Sequence, residues 1–137
     1  MSVRKIHALA HAKSASFKPL GIIILDTRAT VKAASIADGS SLARFDIARA
    51  KAKAALAFNM GTRSLEKLTK DRPHFFAGAV SAIESGLVPV PGGILIKDKD
   101  GTILGAVGVS GDTSDNDEIA ALAGITAAGL VGDGGQG

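Results

Sequence analysis

Three histidines are the side chains in this sequence best suited to ligate a metal or exchange a proton near neutral pH. His7 and His11 are four residues apart, so a helix would place both on one face, where they could share a ligand. No third ligand is near them in sequence, which favours two partly exposed polar residues. His74 follows Pro73 and precedes Phe75–Phe76, at the expected start of a helix. We therefore take His74 as the best single candidate for a titratable or ligating group.

A glycine-rich segment, Gly105–Ala106–Val107–Gly108–Val109–Ser110–Gly111, suggests a phosphate loop at first sight. It has no Gly-Lys-Ser/Thr, and it lacks the third glycine of the dinucleotide-binding pattern. It also contains only half of the G-x-S-x-G nucleophile motif of hydrolases, so it defines no Ser/His/Asp arrangement. We expect Gly105 and Gly108 to allow close packing of a helix on a sheet, and Gly111 to serve a turn.

Four carboxylates follow this segment: Asp112, Asp115, Asp117 and Glu118. Carboxylate oxygens can bind a divalent cation, but the spacing is not that of an EF-hand. Acids in the first turn of a helix are also explained by capping and by the helix dipole. The second explanation is favoured, most clearly for Asp115, and we expect no metal site. The same charges would repel a phosphate.

Composition excludes several classes of function. The absence of cysteine excludes disulfides, thiolate catalysis and cysteine-bound metals. Residues 1–72 carry most of the lysine and arginine, whereas residues 73–137 are acidic. Because there is no Tyr or Trp to stack on a base, we attribute this asymmetry to contacts within or between subunits and expect no nucleic-acid partner. The longest apolar run, Gly21–Leu25, is too short to span a membrane, and the N-terminus lacks a signal-peptide pattern. A cytoplasmic location is expected.

The elements that would position these residues follow from apolar spacing and from turn residues. Gly61 is expected to end the long helix, and Asp71 to cap the helix that Pro73 begins. Thr113 or Ser114 should cap the last helix. The predicted helices are 3–16, 42–59, 62–70, 71–85 and 113–130, and the predicted strands are 20–25, 30–37, 94–97 and 102–109.

Two hairpins separated by helices usually join in one antiparallel sheet with helices on its faces. The order of elements therefore predicts an α+β fold with three layers, α/β/α. The length of 137 residues suits one domain. We place this domain at residues 1–130 and expect a flexible, glycine-rich tail at 131–137.

The chain resembles the GlcG/HbpS-like family, also called DUF336 or haem-binding protein, which includes the C-terminal domain of PduO adenosyltransferases. The resemblance rests on Pro89–Gly93, on Gly105–Glu118, on Ile47–Ala52 with its lysine after Ile-Ala-Arg, and on Asp38–Gly39. It covers about residues 9–130. It implies a profilin-like fold, self-association into homo-oligomers and, in some members, binding of haem or a corrinoid-related ligand. It supplies no axial ligand for haem.

Two functions remain open at this level. The first is a small-ligand-binding accessory protein, with haem as the possible cofactor. The second is an isomerase or lyase acting on a small carboxylic acid. Arg49 or Lys51 would bind the carboxylate, and His74 or Asp117 would act as acid–base. The catalytic candidates are therefore Lys51, His74 and Asp117. The residues predicted to line the ligand site are Arg49, Lys51, His74, Pro91, Gly92, Gly93, Ser110 and Gly111.

Overall fold

A computed structural model describes residues 17–83 and 86–136. These residues form five strands and four helices, in the order β1-β2-α1-α2-α3-β3-β4-α4-β5. The strands are Gly21–Asp26, Val31–Ile36, Gly93–Lys97, Ile103–Ser110 and Val131–Asp133, and the helices are Ala43–Phe58, Thr62–Asp71, Pro73–Ala82 and Ser114–Ala127. The predicted helix at 3–16, with His7 and His11, lies outside the described residues.

The strands form one antiparallel sheet in the order β2-β1-β4-β3-β5. Both hairpins join through β1 and β4, whose ladder runs from Gly21 opposite Ser110 to Asp26 opposite Gly105. The prediction of an α+β fold around a central antiparallel sheet is confirmed.

Alternation along the strands divides the core between the two faces of the sheet, because successive side chains point to opposite sides. Ile23 and Leu25 face α1 and pack on its alanines at 48, 52 and 55. Ile22 and Ile24 share the other face with Ala121 and Ile125 of α4. The sheet is thus covered by a helix on each side, which gives the three layers.

Glycine on β4 lets α1 approach the sheet closely. A Cβ added at Gly108 would collide with the backbone carbonyl of Ala48 and lie 3.0 Å from the Cβ of Ala52. The expected role of Gly108 in helix–sheet packing is confirmed. The predicted role of Gly105 in helix–sheet packing is wrong, because the atoms nearest to a Cβ there do not belong to a helix. Such a Cβ would instead meet the backbone of Leu25 on the neighbouring strand β1.

A third apolar cluster joins α1, α2 and α3 beyond the end of the sheet. Its buried members are Ala54, Leu65, Phe76 and Leu87. The ring of Phe58 stacks on Phe76, with 6.1 Å between centroids, and meets Phe75 edge-on. This cluster packs α3 against α1 and α2.

The structure corrects three predictions about ends of elements. Asn59, not Gly61, has the left-handed backbone after α1, and Gly61 has extended backbone at the start of α2. Arg72 rather than Asp71 precedes α3, and no side chain caps that helix. Val131–Asp133, expected in the flexible tail, instead form β5 and pair with β3.

None of the helices in the described ranges is long and apolar enough to cross a membrane.

Candidate functional site

A buried ion pair joins Lys51 of α1 to Asp117 of α4. Nζ of Lys51 lies 3.0 Å from Oδ2 of Asp117, and it also donates to the carbonyl of Val109 on β4 at 2.9 Å. Only 3% of the lysine side chain and 2% of the aspartate side chain are exposed. One ammonium group therefore ties a helix on each face of the sheet to the strand between them.

Burial and pairing act in opposite directions on these two groups. Burial lowers the pKa of Lys51, while the Asp117 carboxylate opposes that shift. Burial also raises the pKa of Asp117, and the Lys51 ammonium opposes it. Oδ1 of Asp117 accepts a further hydrogen bond from the backbone N–H of Asp112 at 2.9 Å. Because each charge is used by the other, neither group is free for acid–base work on a substrate, so the pair does not favour the enzyme hypothesis.

The Pro91–Gly92–Gly93 segment closes over Lys51. Gly92 has a φ of +123°, and a Cβ there would lie 2.8 Å from the carbonyl of Val109 and 2.9 Å from Nζ of Lys51. The N–H of Gly93 donates to Oγ1 of Thr62 at 2.8 Å. A side chain at either glycine would displace the lysine or its helix, so these small residues are part of how the pair is enclosed.

Ser110 and Gly111 lie at the end of β4 beside the pair. Ser110 is buried, and its Oγ accepts a hydrogen bond from Nη1 of Arg44 at 3.0 Å. Arg44 is seven residues before Lys51 on α1, which is the spacing of a shared helix face. Its positive charge adds to the lowering of the pKa of Lys51. Sequence reasoning did not select Arg44, although this spacing could have identified it.

Gly111 begins the turn that leads into α4. Its φ is +150°, and a Cβ there would lie 3.0 Å from Cα of Leu20, with Pro19 closer still. Thr113 caps the helix by accepting a hydrogen bond from the N–H of Asn116 at 3.1 Å. The turn predicted at Gly111 is confirmed, and of the two predicted caps, Thr113 and Ser114, Thr113 is the one that caps the helix.

The remaining acids at this helix start are held by protein groups. Asp112 accepts from the N–H of Lys18 at 2.7 Å and from the amide of Asn116, and these bonds lower its pKa. Asp115 and Glu118 both bind the guanidinium of Arg63 on α2 and raise its pKa. In the part of the chain that the structure describes, no three His, Asp or Glu side chains are grouped to hold a metal ion.

Two of the predicted site residues do not join this cluster. Arg49 is half-buried and lies two residues before Lys51, a spacing that turns the two side chains to different sides of α1. His74 is exposed at the start of α3, which packs on α2. The structure therefore brings together Lys51, Asp117, Pro91, Gly92, Gly93, Ser110 and Gly111, without His74.

His74 lies in a different setting, next to an exposed aromatic residue. The side chain of Phe75 is 46% exposed in a chain that has only five phenylalanines. The guanidinium of Arg72 lies over its ring, 4.7 Å from the centroid. Arg72, His74 and Phe75 are thus all exposed within the first residues of α3 and the residue before it.

The described residues thus form an α+β fold, a five-stranded antiparallel sheet between helices. The sequence matches the family described as haem degrading protein HbpS-like over residues 3–126, so the chain belongs to the HbpS-like family. The resemblance expected from its motifs is confirmed. No curated protein sequence matches it.

Solved structures share this fold at low sequence identity. The PduOC–haem complex superposes with a TM-score of 0.84 at 22% identity, covering 94% of this chain and 93% of that one. The Klebsiella pneumoniae protein ORFY gives 0.81 at 20% identity, with 91% and 86% covered. A double mutant of HbpS from Streptomyces reticuli gives 0.77 at 24% identity, with 90% and 82% covered.

Proposed function

We propose that this protein is a small-ligand-binding accessory protein whose ligand is haem. The observation that carries the proposal is the family match over residues 3–126. A structural relative in complex with haem supports it, since that protein shares nearly the whole fold. The alternative of an isomerase or lyase is not favoured, because Lys51 and Asp117 neutralise each other.

The exposed group at the start of α3 fits what haem requires. Haem iron is commonly held by a histidine nitrogen, and the porphyrin needs apolar surface. His74 offers the nitrogen, Phe75 offers an exposed ring, and Arg72 offers a cation for a propionate. We propose His74 as the axial donor on this basis, with the second face of the porphyrin covered by another copy of the chain.

This arrangement makes homo-oligomerisation part of the proposal. One exposed ring covers little of a porphyrin, so a second protomer would have to exclude water from the other side. A cytoplasmic location, compatible with a chain that lacks cysteine, belongs to the same proposal.

A haemin titration tests the function. Saturable binding should shift the Soret band, and His74→Ala should weaken the affinity by about tenfold or more, because an axial bond is lost. His7→Ala and His11→Ala are matched controls with the same loss of an imidazole. If only those two variants weaken binding, the choice of His74 is wrong. If the unaltered chain shows no saturable binding, the proposed function is wrong.

A further inference from the structure

An open cleft of about 420 Å³ lies along α2, and its lining includes neither the Lys51–Asp117 pair nor His74. Its volume falls within the range of sites for small molecules. It is lined by Arg63, Ser64, Glu66, Lys67, Lys70 and Gly135. None of these residues has been assigned a role in haem binding.

The lining of the cleft is positively charged. Arg63, Lys67 and Lys70 are separated by four and three residues, so all three lie on one face of α2. Glu66 is the single acid of the lining, and its Oε1 lies 4.0 Å from Nζ of Lys70. The lining itself carries three cations and one carboxylate, but Asp115 and Glu118 of α4 pair with Arg63. Lys67 therefore supplies the charge that is left for an anionic occupant.

Of the three cations on this face of α2, Arg63 is held in place by ion pairs, whereas the middle one, Lys67, is exposed to solvent. The guanidinium of Arg63 uses Nε for Glu118 and Nη2 for Asp115, and both acids lie on α4. Those acids offset the charge of Arg63 but hold its planar fork in one orientation. Within residues 17–83 and 86–136, Lys67 has no ion-pair partner, and its side chain is exposed.

The chain after β5 borders the cleft at the first turn of α2. The carbonyl of Gly134 accepts the N–H of Arg63 at 3.2 Å, and the carbonyl of Gly135 accepts the hydroxyl of Ser64 at 2.8 Å. Gly135 has a φ of +81°, and a Cβ there would lie 2.6 Å from the N and Oγ of Ser64. This border of the cleft is therefore backbone that is hydrogen-bonded to α2.

We propose that the cleft binds a small oxyanion ligand, a phosphate ester or a carboxylate, through Lys67, with the guanidinium of Arg63 beside it. Phosphate and carboxylate oxygens are the acceptors that match these donors. Lys70 and the hydroxyl of Ser64 border the ligand on either side. The site is independent of haem binding.

Calorimetric titration with pyrophosphate, and separately with citrate, tests the proposal at physiological ionic strength. At least one anion should bind saturably, and the two arms distinguish a phosphate site from a carboxylate site. Lys67→Glu should weaken that binding by about tenfold or more, the effect of losing one charge-assisted contact. Because Lys67 is exposed, the variant should keep its fold, which circular dichroism would verify.

Lys99→Glu is the matched control, since Lys99 is an exposed lysine in the turn between β3 and β4. It makes the same change in net charge and should alter the affinity by less than about twofold. Equal weakening by both variants would overturn the proposal, because it would reveal a general charge effect. Absence of saturable binding by both anions would also overturn it. Haem affinity should stay unchanged in Lys67→Glu, so failure here leaves the proposed function untouched.

Discussion

At the residue scale, the Lys51–Asp117 pair combines two full charges with almost complete burial. Such a pair costs desolvation on both sides, and removing one partner leaves the other charge buried without compensation. Lys51→Ala should therefore lower the free energy of unfolding by about 3–5 kcal/mol. Urea denaturation followed by circular dichroism measures this. A loss below about 1 kcal/mol would mean that the pair does not hold the helices to β4.

A second variant separates the charge from the packing. Lys51→Met combined with Asp117→Asn keeps the volume of both side chains and an acceptor for the N–H of Asp112. This double variant should recover a large part of the lost stability, because no buried charge remains. Lys99→Ala, on the surface, is the control for loss of a lysine.

Gly111 and Asp115 lie in the same turn and should differ in their tolerance of substitution. Gly111→Val forces a β-branched side chain into positive φ and against Leu20, which we expect to cost more than about 2 kcal/mol. Asp115→Asn removes one exposed partner of Arg63 and should cost less than about 1 kcal/mol. Thermal unfolding of both variants checks the order. Equal and negligible effects would contradict the role assigned to the turn.

At the element scale, the sequence predicted the interiors of strands and helices better than their ends. Apolar alternation identified β1, and alanine-rich spacing identified α1, because both signals are local. The role of Gly61 depends on a distant segment: a Cβ there would collide with the backbone of Gly134 and Gly135. No local pattern contains that information, so Gly61 was read as the end of a helix.

The candidate site was predicted only in part, because some of its contacts also join distant segments of the chain. Family motifs singled out Lys51, Gly92 and Gly93, and the fold brings them together. The partner of Lys51 could not be derived from composition, since four acids share the start of α4 and only the helix geometry selects Asp117. Arg63, which holds two of those acids, lies on another helix and gave no signal in sequence.

An ion pair between Lys97 of β3 and Asp133 of the edge strand β5 should make the stability of the protein depend on pH. Nζ of Lys97 lies 2.8 Å from Oδ2 of Asp133, and this contact lowers the pKa of Asp133. The carboxylate therefore adds stability that is full above about pH 4, its ordinary pKa, and is lost as the pH falls through the lowered value. The difference in stability between the unaltered chain and Asp133→Asn should vanish on acidification.

Urea denaturation from neutral pH to about pH 2 measures that difference. In a Lys97→Met background, Asp133→Asn should show a much smaller dependence on pH, since the cation that shifts the pKa is gone. A difference that stays constant down to the lowest pH would rule out a contribution from this pair.

At the scale of the whole molecule, large apolar side chains remain on several elements of the surface. Leu42 is 94% exposed at the start of α1, and Val131 is 51% exposed on β5. Others are Val31, Ile36, Phe75 and Ile119. Exposed apolar surface of this kind is typical of faces that pack on other protein.

We expect the chain, with a mass of 13.8 kDa, to assemble into homo-oligomers at micromolar concentration. Light scattering at low and high salt measures the mass. Leu42→Glu should weaken assembly without loss of fold, because the side chain makes few contacts within the protomer. A monomer mass at both salt concentrations would disprove the expectation.

The pairing of β1 with β4 also has a consequence for how fast the chain folds. Gly21 lies opposite Ser110, so the central ladder of the sheet joins segments from opposite ends of the described chain. Chain entropy must be lost before such contacts can form, and proteins dominated by distant contacts fold in about milliseconds to seconds. The two local hairpin pairings, β1 with β2 and β3 with β4, can form without that loss. Joining them should therefore limit the rate, and the protein should pass through an interval in which both inner strand edges are open to pairing with other chains.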